Sequence, residues 1–129
     1  MTADRAALLG VDVGTQGIRV VAVDPRGELL SSHEQAFPLQ DRTERHEQSS
    51  ELWWDVSVNL LRAVATELRD VDESAQPVAL SVTSTSGTVI PLDAARQPLH
   101  PALMYDDPRA SAQAERCRLA STLGDEPEI

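Results

Sequence analysis

The sequence predicts an α/β fold. Three features carry that expectation: short β-branched runs separated by turn residues near the start, one long stretch with an apolar residue at every fourth position, and a second apolar run leading toward an alanine-rich helical segment. Residues 6–11 end at Asp12 and read as a buried strand. Residues 13–17 carry two glycines and read as a turn. Residues 18–23 are rich in β-branched side chains and read as a second strand. Asp24-Pro25-Arg26-Gly27 has the residue order of a type I turn. Residues 29–36 return as a third strand, so the chain opens as a three-stranded meander. Residues 38–48 are polar and read as a loop. Ser49 or Ser50 can cap a helix by accepting from free first-turn amides. Leu52, Val56, Leu60, Val64 and Leu68, widened by Leu61, mark the apolar stripe of a helix ending near Arg69. Residues 78–82 read as a fourth strand, 83–87 as a hydroxyl-rich loop, 88–92 as another strand and 93–98 as a turn. Residues 101–105 are extended, and 109–122 form a second helix.

Composition narrows the function classes. A chain of 129 residues with 41% hydrophobic content can build one small domain with a core. Aromatics supply only 3%, which leaves that core to Val, Leu, Ile and Ala. The formal charge of −10 argues against a nucleic-acid surface, because phosphate contacts need clustered cations. All 11 cations are arginine. Without lysine there is no Walker-type P-loop and no Schiff-base chemistry. The single cysteine, Cys117, reads as a packing residue and fits a reducing cytoplasm. No signal peptide is expected, and the apolar runs are too short to span a bilayer. His33, His46 and His100 are scattered without metal-ligand spacing.

The strongest chemical signal is Asp12-Val13-Gly14-Thr15-Gln16-Gly17-Ile18-Arg19. Gly14 lets backbone approach a ligand without a Cβ in the way. Successive amides over Gly14, Thr15 and Gln16 can form an anion-binding nest. Asp12, at a strand end, can hold Mg²⁺ directly or through its waters, beside a phosphate. Taken alone, the same residues also suit an ordinary hairpin turn. A dinucleotide-binding loop is disfavoured, because that loop leads into a helix and here a strand follows.

Residues 10–19 resemble the opening of the FGGY carbohydrate kinases, members of the actin/hexokinase/Hsp70 superfamily with a ribonuclease-H-like fold. Three further segments agree, in order. Glu47-Gln48-Ser49-Ser50-Glu51-Leu52-Trp53-Trp54 resembles the stretch entering the family's first long helix. Residues 80–89, with Leu92-Asp93, resemble its strand, substrate loop and strand. Residues 101–110 resemble its P-x-x-x-W-x-D-x-R element. The resemblance covers about residues 8–116. The Thr-Ser-Gly-Thr loop is more similar to pentulokinases such as ribulokinase and xylulokinase than to glycerol kinase, which carries an Arg-Glu pair there.

This resemblance implies transfer of the γ-phosphoryl of ATP to a sugar hydroxyl, with Mg²⁺ as cofactor and a ketopentose or related polyol as partner. It places Asp12 near the metal and Gly14, Thr15 and Gln16 at the phosphate. Arg19 matches a family arginine, yet on a strand it can equally pair with an acid. Thr85 and Ser86 match positions that reach the sugar; otherwise such a run satisfies its own backbone. Asp107 and Arg109 match Asp-x-Arg, where Asp107 either contacts sugar or caps the following helix. Tyr105 stands in place of the family's tryptophan, and Thr83 where close relatives often carry an acid. Trp53 and Trp54 point about 100° apart on a helix, one inward and one at the rim.

Family members are two-domain enzymes several times longer, with a catalytic aspartate late in the first domain. The resemblance therefore implies a mixed sheet with flanking helices in an incomplete first domain, 1–129, without the nucleotide-binding second domain. No catalytic residue is expected within these residues, because the position of the family's base aspartate falls beyond Ile129. The chain alone is expected to be inactive and to self-associate through the surface left open. Alternatives are a non-catalytic sugar-sensing or interaction module on an actin-like half-fold, and a cytoskeletal or chaperone-like ATPase. The Ser/Thr loop and Asp-x-Arg disfavour the last.

Overall fold

In the computed structural model, residues 6–38, 45–73 and 75–123 are described. Ile129, beyond which the base aspartate is expected, lies outside the described residues. Strands β1 (Ala6–Val13) and β2 (Gly17–Val23) pair antiparallel, with Val11 opposite Val20 and Val13 opposite Ile18. Strand β3 (Leu29–Ala36) continues the meander beside β2. The turn between β2 and β3 forms as its sequence requires. Gly27, at φ 86°, donates to the Asp24 carbonyl at 3.0 Å. Asp24 Oδ1 accepts from the amides of Arg26 and Glu28 at 2.8 and 2.9 Å. A type I turn closed by a left-handed glycine suits the twist of the paired strands.

Helix α1 (Ser50–Val71) begins at Ser49, whose side chain accepts from the Leu52 amide. It carries the chain back so that β5 (Gln76–Ser84) lies parallel to β1. The sheet order is β3-β2-β1-β5, and the sheet is mixed. Val56, Leu60, Val64 and Leu68 of α1 close over Ala7, Val11, Ile18, Val20 and Ala22. The stripe thus starts a turn later than the sequence predicts, for Leu52 is 43% exposed. Trp53 packs against the core while Trp54 is exposed.

A polar clasp fastens the far end of α1. Ser31 Oγ donates to Glu67, and His33 Nε2 lies 2.9 Å from the same carboxylate. The Ser31 hydrogen bond, then that of His33, hold the Glu67 carboxyl below its ordinary range. A carboxylate depressed on folding contributes stability above its unfolded value, and that stability is lost as pH falls through the folded one. Urea midpoints should therefore drop as pH falls below 4.5, and Glu67→Gln should flatten that part of the profile.

Several expectations need correction. Residues 38–48 are not wholly loop: β4 (Glu47–Gln48) pairs with β6 (Ala102–Leu103). The strand expected over 88–92 reduces to isolated bridges, Val89 with Leu103 and Leu92 with Pro98. Pro91 within that run has no N–H to donate to a ladder. The second helix starts as a 3-10 turn at Pro108–Ala110 and continues as α2 (Ser111–Leu123). Cys117 is exposed, not packed, because α2 buries none of its side chains described over 111–121.

One sheet face is covered and the other is open. Every residue of β5 is exposed, and Leu80 at 54% and Val82 at 61%, which pair with Leu9 and Val11, lie on the helix side across a groove from α1.

Candidate functional site

The link between β1 and β2 is short. Gly14 donates its amide to the Gly17 carbonyl at 2.9 Å and closes the hairpin. A Cβ at Gly17 would lie 2.4 Å from the Gln35 carbonyl oxygen, so β3 can approach only a glycine there. Two loop carbonyls are tied back into the protein. Thr15 O accepts from Gln48 Nε2 at 2.8 Å, and Gln16 O from the Phe37 amide at 2.7 Å. The amides of Thr15 and Gln16 donate to no acceptor among the described residues. The nest expected over Gly14, Thr15 and Gln16 is therefore narrower by one donor: the Gly14 amide is engaged in the hairpin. A cavity of about 340 Å³ lies beside the loop, lined by Asp12, Thr15, Gln16, Arg19 and Glu34 among others.

The strand registers place Thr83, Asp12, Arg19 and Glu34 in one row across β5, β1, β2 and β3, on the open face. Arg19 Nε donates to Glu34 at 2.9 Å, and this pairing raises the guanidinium further above its ordinary value. The strand role allowed for Arg19 is thus present. Its consequence falls on Asp12. With Arg19 drawn toward Glu34, the Asp12 carboxylate is exposed and hydrogen-bonds no other described residue, while the Arg19 charge opposite it in register still acts on it. Two carboxylates border a cavity whose loop offers amides to an anion. A phosphate entering there needs a cation between itself and Asp12, and exposed carboxylate oxygen suits Mg²⁺.

The second cluster joins β4 to the start of α2. Asp107 accepts from the Arg109 amide at 3.1 Å and from its Nε and Nη2 at 2.9 and 2.8 Å. It therefore caps the 3-10 turn and grips the arginine at once. Glu47 Oε1, buried, meets Arg109 Nη2 at 2.6 Å as an ion pair without hydrogen-bond alignment. Arg109 above all, and the His46 amide with it, lower the Asp107 pKa; Asp107 and Glu47 raise that of Arg109. A cavity of about 610 Å³ is lined by Gly87, Tyr105, Asp107, Arg109 and Gln113 among others. It brings the Asp-x-Arg pair to the glycine of the hydroxyl-rich loop, where Gly87 sits at φ 74° with Tyr105 against it.

Thr85 and Ser86 are not gathered with that pair. Thr85 Oγ1 bonds Thr88 Oγ1 at 2.9 Å, and Thr85 borders an apolar groove of about 560 Å³ with Trp53, Trp54, Leu80 and Val82. Ser86 is exposed at the tip of its turn. Sequence reasoning missed His46, Glu47 and Gln48 as site residues. His46 is 1% exposed, its Nδ1 bonded to Asp106 and its amide donating to Asp107 Oδ2 at 2.8 Å. The available signal was the polar trio itself, a few residues before a tryptophan with an indole N–H to satisfy. Among the described residues no cluster of three metal-ligating side chains occurs. Nor is any of their helices long and apolar enough to cross a membrane.

Comparison with known proteins places this arrangement. The xylulose kinase of Streptomyces coelicolor is 30% identical over 116 residues, covering 88% of this chain and 22% of that protein. The xylulose kinase of Escherichia coli K12 is 26% identical over 114 residues, covering 86% and 22%. The chain thus spans about a fifth of the length of these relatives. Among solved structures, Plasmodium falciparum glycerol kinase with ADP superposes with TM-score 0.81 at 20% identity, over 88% of this chain and 23% of that one. Ligand-bound xylulose kinase from Lactobacillus acidophilus gives 0.77 at 20%, over 89% and 23%. The fold is that of the actin/hexokinase class, as the resemblance implies. Residues 7–125 match the N-terminal domain of the FGGY family of carbohydrate kinases, and the chain belongs to that family.

Proposed function

We propose that these residues are the N-terminal portion of the first domain of a cytoplasmic, ATP-dependent sugar kinase that phosphorylates a ketopentose or related polyol, its base aspartate lying beyond Ile129. One observation carries the reading: an exposed Asp12, hydrogen-bonded to no other described residue, beside a loop whose carbonyls are tied back and whose Thr15 and Gln16 amides are left to an anion. Asp12 would hold Mg²⁺, which neutralises charge on the transferring phosphoryl group when bound. Thr15 and Gln16 orient the phosphate through their amides, Gly14 keeps the hairpin closed beneath it, and the Thr15 hydroxyl adds a donor. At the larger cavity the Asp107 carboxylate, which already accepts four hydrogen bonds, holds Arg109, whose further N–H groups suit sugar oxygens. Thr85 and Ser86 match the family's sugar-contacting positions, with Thr85 at the neighbouring groove and Ser86 exposed beside Gly87.

The assay is sugar-dependent ADP release by the longest reading frame containing this chain, across ribulose, xylulose, ribitol, arabitol and glycerol. A ketopentose should give the largest kcat/KM, and the 129 residues alone should give no turnover. Sugar binding by the long form without ADP release would favour the sensing-module alternative. Turnover by the 129 residues alone would refute the proposal that the base lies beyond Ile129.

The uncovered helix side of β5 also has a consequence for assembly. An apolar groove between α1 and β5, lined by Trp53, Trp54, Leu80 and Val82 among others, is left uncovered. The exposed apolar side chains of β5 are part of it. Sedimentation velocity on the 129 residues should show a dimer or larger species; a stable monomer at micromolar concentration would contradict self-association.

A further inference from the structure

We propose that His46 is the positioning residue that fixes the phosphate loop relative to the Asp107–Arg109 element, an inference that rests on the kinase reading above. Donors and acceptors settle its orientation. An ionised Asp106 can only accept, so His46 Nδ1, bonded to Asp106 Oδ1, carries the ring proton. His46 Nε2 faces Gln48 Nε2 at 3.4 Å, and against an amide NH₂, which only donates, this ring nitrogen accepts. Gln48 is oriented independently. Its Oε1 accepts from Trp53 Nε1 at 2.9 Å, and its Nε2 donates to Thr15 O at 2.8 Å. The second N–H of that amide therefore points to His46. A flipped Gln48 would set oxygen against the His46 lone pair and NH₂ against the indole N–H.

The chain of bonds runs from Asp106 through His46 and Gln48 to the Thr15 carbonyl. Because a trans peptide points C=O and N–H in opposite directions, the pull on Thr15 O turns the Gln16 amide away from Gln48, and Gln16 lines the cavity. The other end is held by the same residue. The His46 amide donates to Asp107 Oδ2 at 2.8 Å, and its carbonyl accepts from the Met104 amide at 3.0 Å. One buried histidine thus grips both subsites. In a site this dry, a broken link leaves a costly unpaired group, so the arrangement resists drift.

Two half-replacements in the 129-residue chain separate positioning from space filling. Asn at 46 reaches only the Nδ1 position and keeps the bond to Asp106. Gln reaches only the Nε2 position and keeps an acceptor for Gln48. The probe is inorganic phosphate with Mg²⁺, followed at the Gln16 amide by ¹H–¹⁵N NMR. His46→Gln should bind within about twofold of wild type, and His46→Asn about fivefold more weakly, the worth of one net hydrogen bond. Without phosphate, His46→Asn should move the Gln16 resonance and His46→Gln should leave it nearly in place. Imidazole ¹⁵N spectra of the wild type should show the Nδ1–H tautomer. An Nε2–H tautomer, or equal effects of the two variants on the Gln16 resonance, would overturn the proposal. Failure of the wild type to take phosphate at Gln16 strikes instead at the kinase reading, while the tautomer and ligand-free resonances still decide the role of His46.

Discussion

Asp12→Asn should lower the kcat/KM of the long form by about 10²–10³-fold, the range seen when one preorganised contact to developing charge is removed. The change keeps size and hydrogen bonding but removes the negative charge that draws Mg²⁺. It should not harm the fold, because Asp12 is exposed, hydrogen-bonds no other described residue and only adds to the field on Arg19, which keeps its pair with Glu34. Unfolding midpoints of Asp12→Asn and wild type should agree, so lost activity cannot be assigned to lost structure. Glu34→Gln sharpens the test. It frees Arg19, which stands directly opposite Asp12 in register and would turn toward it. An arginine on Asp12 competes with the metal, so Glu34→Gln should raise the Mg²⁺ concentration needed for half-maximal activity. Unchanged Mg²⁺ dependence in both variants would remove Asp12 from the chemistry.

Gly17→Ala should cost stability at the upper end of, or beyond, the ~1–3 kcal/mol typical of overpacking. Its Cβ would come within 2.4 Å of Gln35 O and 2.9 Å of Ala36 Cα, both backbone atoms that move only if β3 moves. Gly14→Ala is the contrast. There the nearest atom is Gly17 O at 3.3 Å, a tight contact that a few tenths of an ångström relieves. Urea denaturation should rank wild type above Gly14→Ala, and Gly14→Ala well above Gly17→Ala. A Gly17→Ala midpoint equal to that of Gly14→Ala would mean that β3 does not press on the loop. That outcome would loosen the link between the β2–β3 pairing and the shape of the phosphate cavity.

Local chemistry was readable and distant pairing was not. The stripe from Val56 to Leu68, the Asp24–Gly27 turn and the glycine-bounded loop after Asp12 each act within a few residues, and each forms as written. Arg19 was ambiguous because its acid, Glu34, lies 15 residues on and one strand over. His46 and Gln48 looked like loop residues. Their partners at Asp106, Asp107 and Thr15 lie 60, 61 and 33 residues away, and no local period announces them. Cys117 suggested packing because apolar residues usually find cover, whereas α2 buries none of its side chains described over 111–121. Asp107 left two roles open; it caps the 3-10 turn while clasping Arg109, so capping does not take it from the cavity.

The most direct measurement is a titration of the 129-residue chain with Mg²⁺ and inorganic phosphate, read at the backbone amides of residues 12–19. The account requires saturable shifts centred on Thr15 and Gln16 that weaken when Mg²⁺ is withheld and lose that Mg²⁺ dependence in Asp12→Asn. Amides that stay still, or that respond identically with the carboxylate removed, would contradict it.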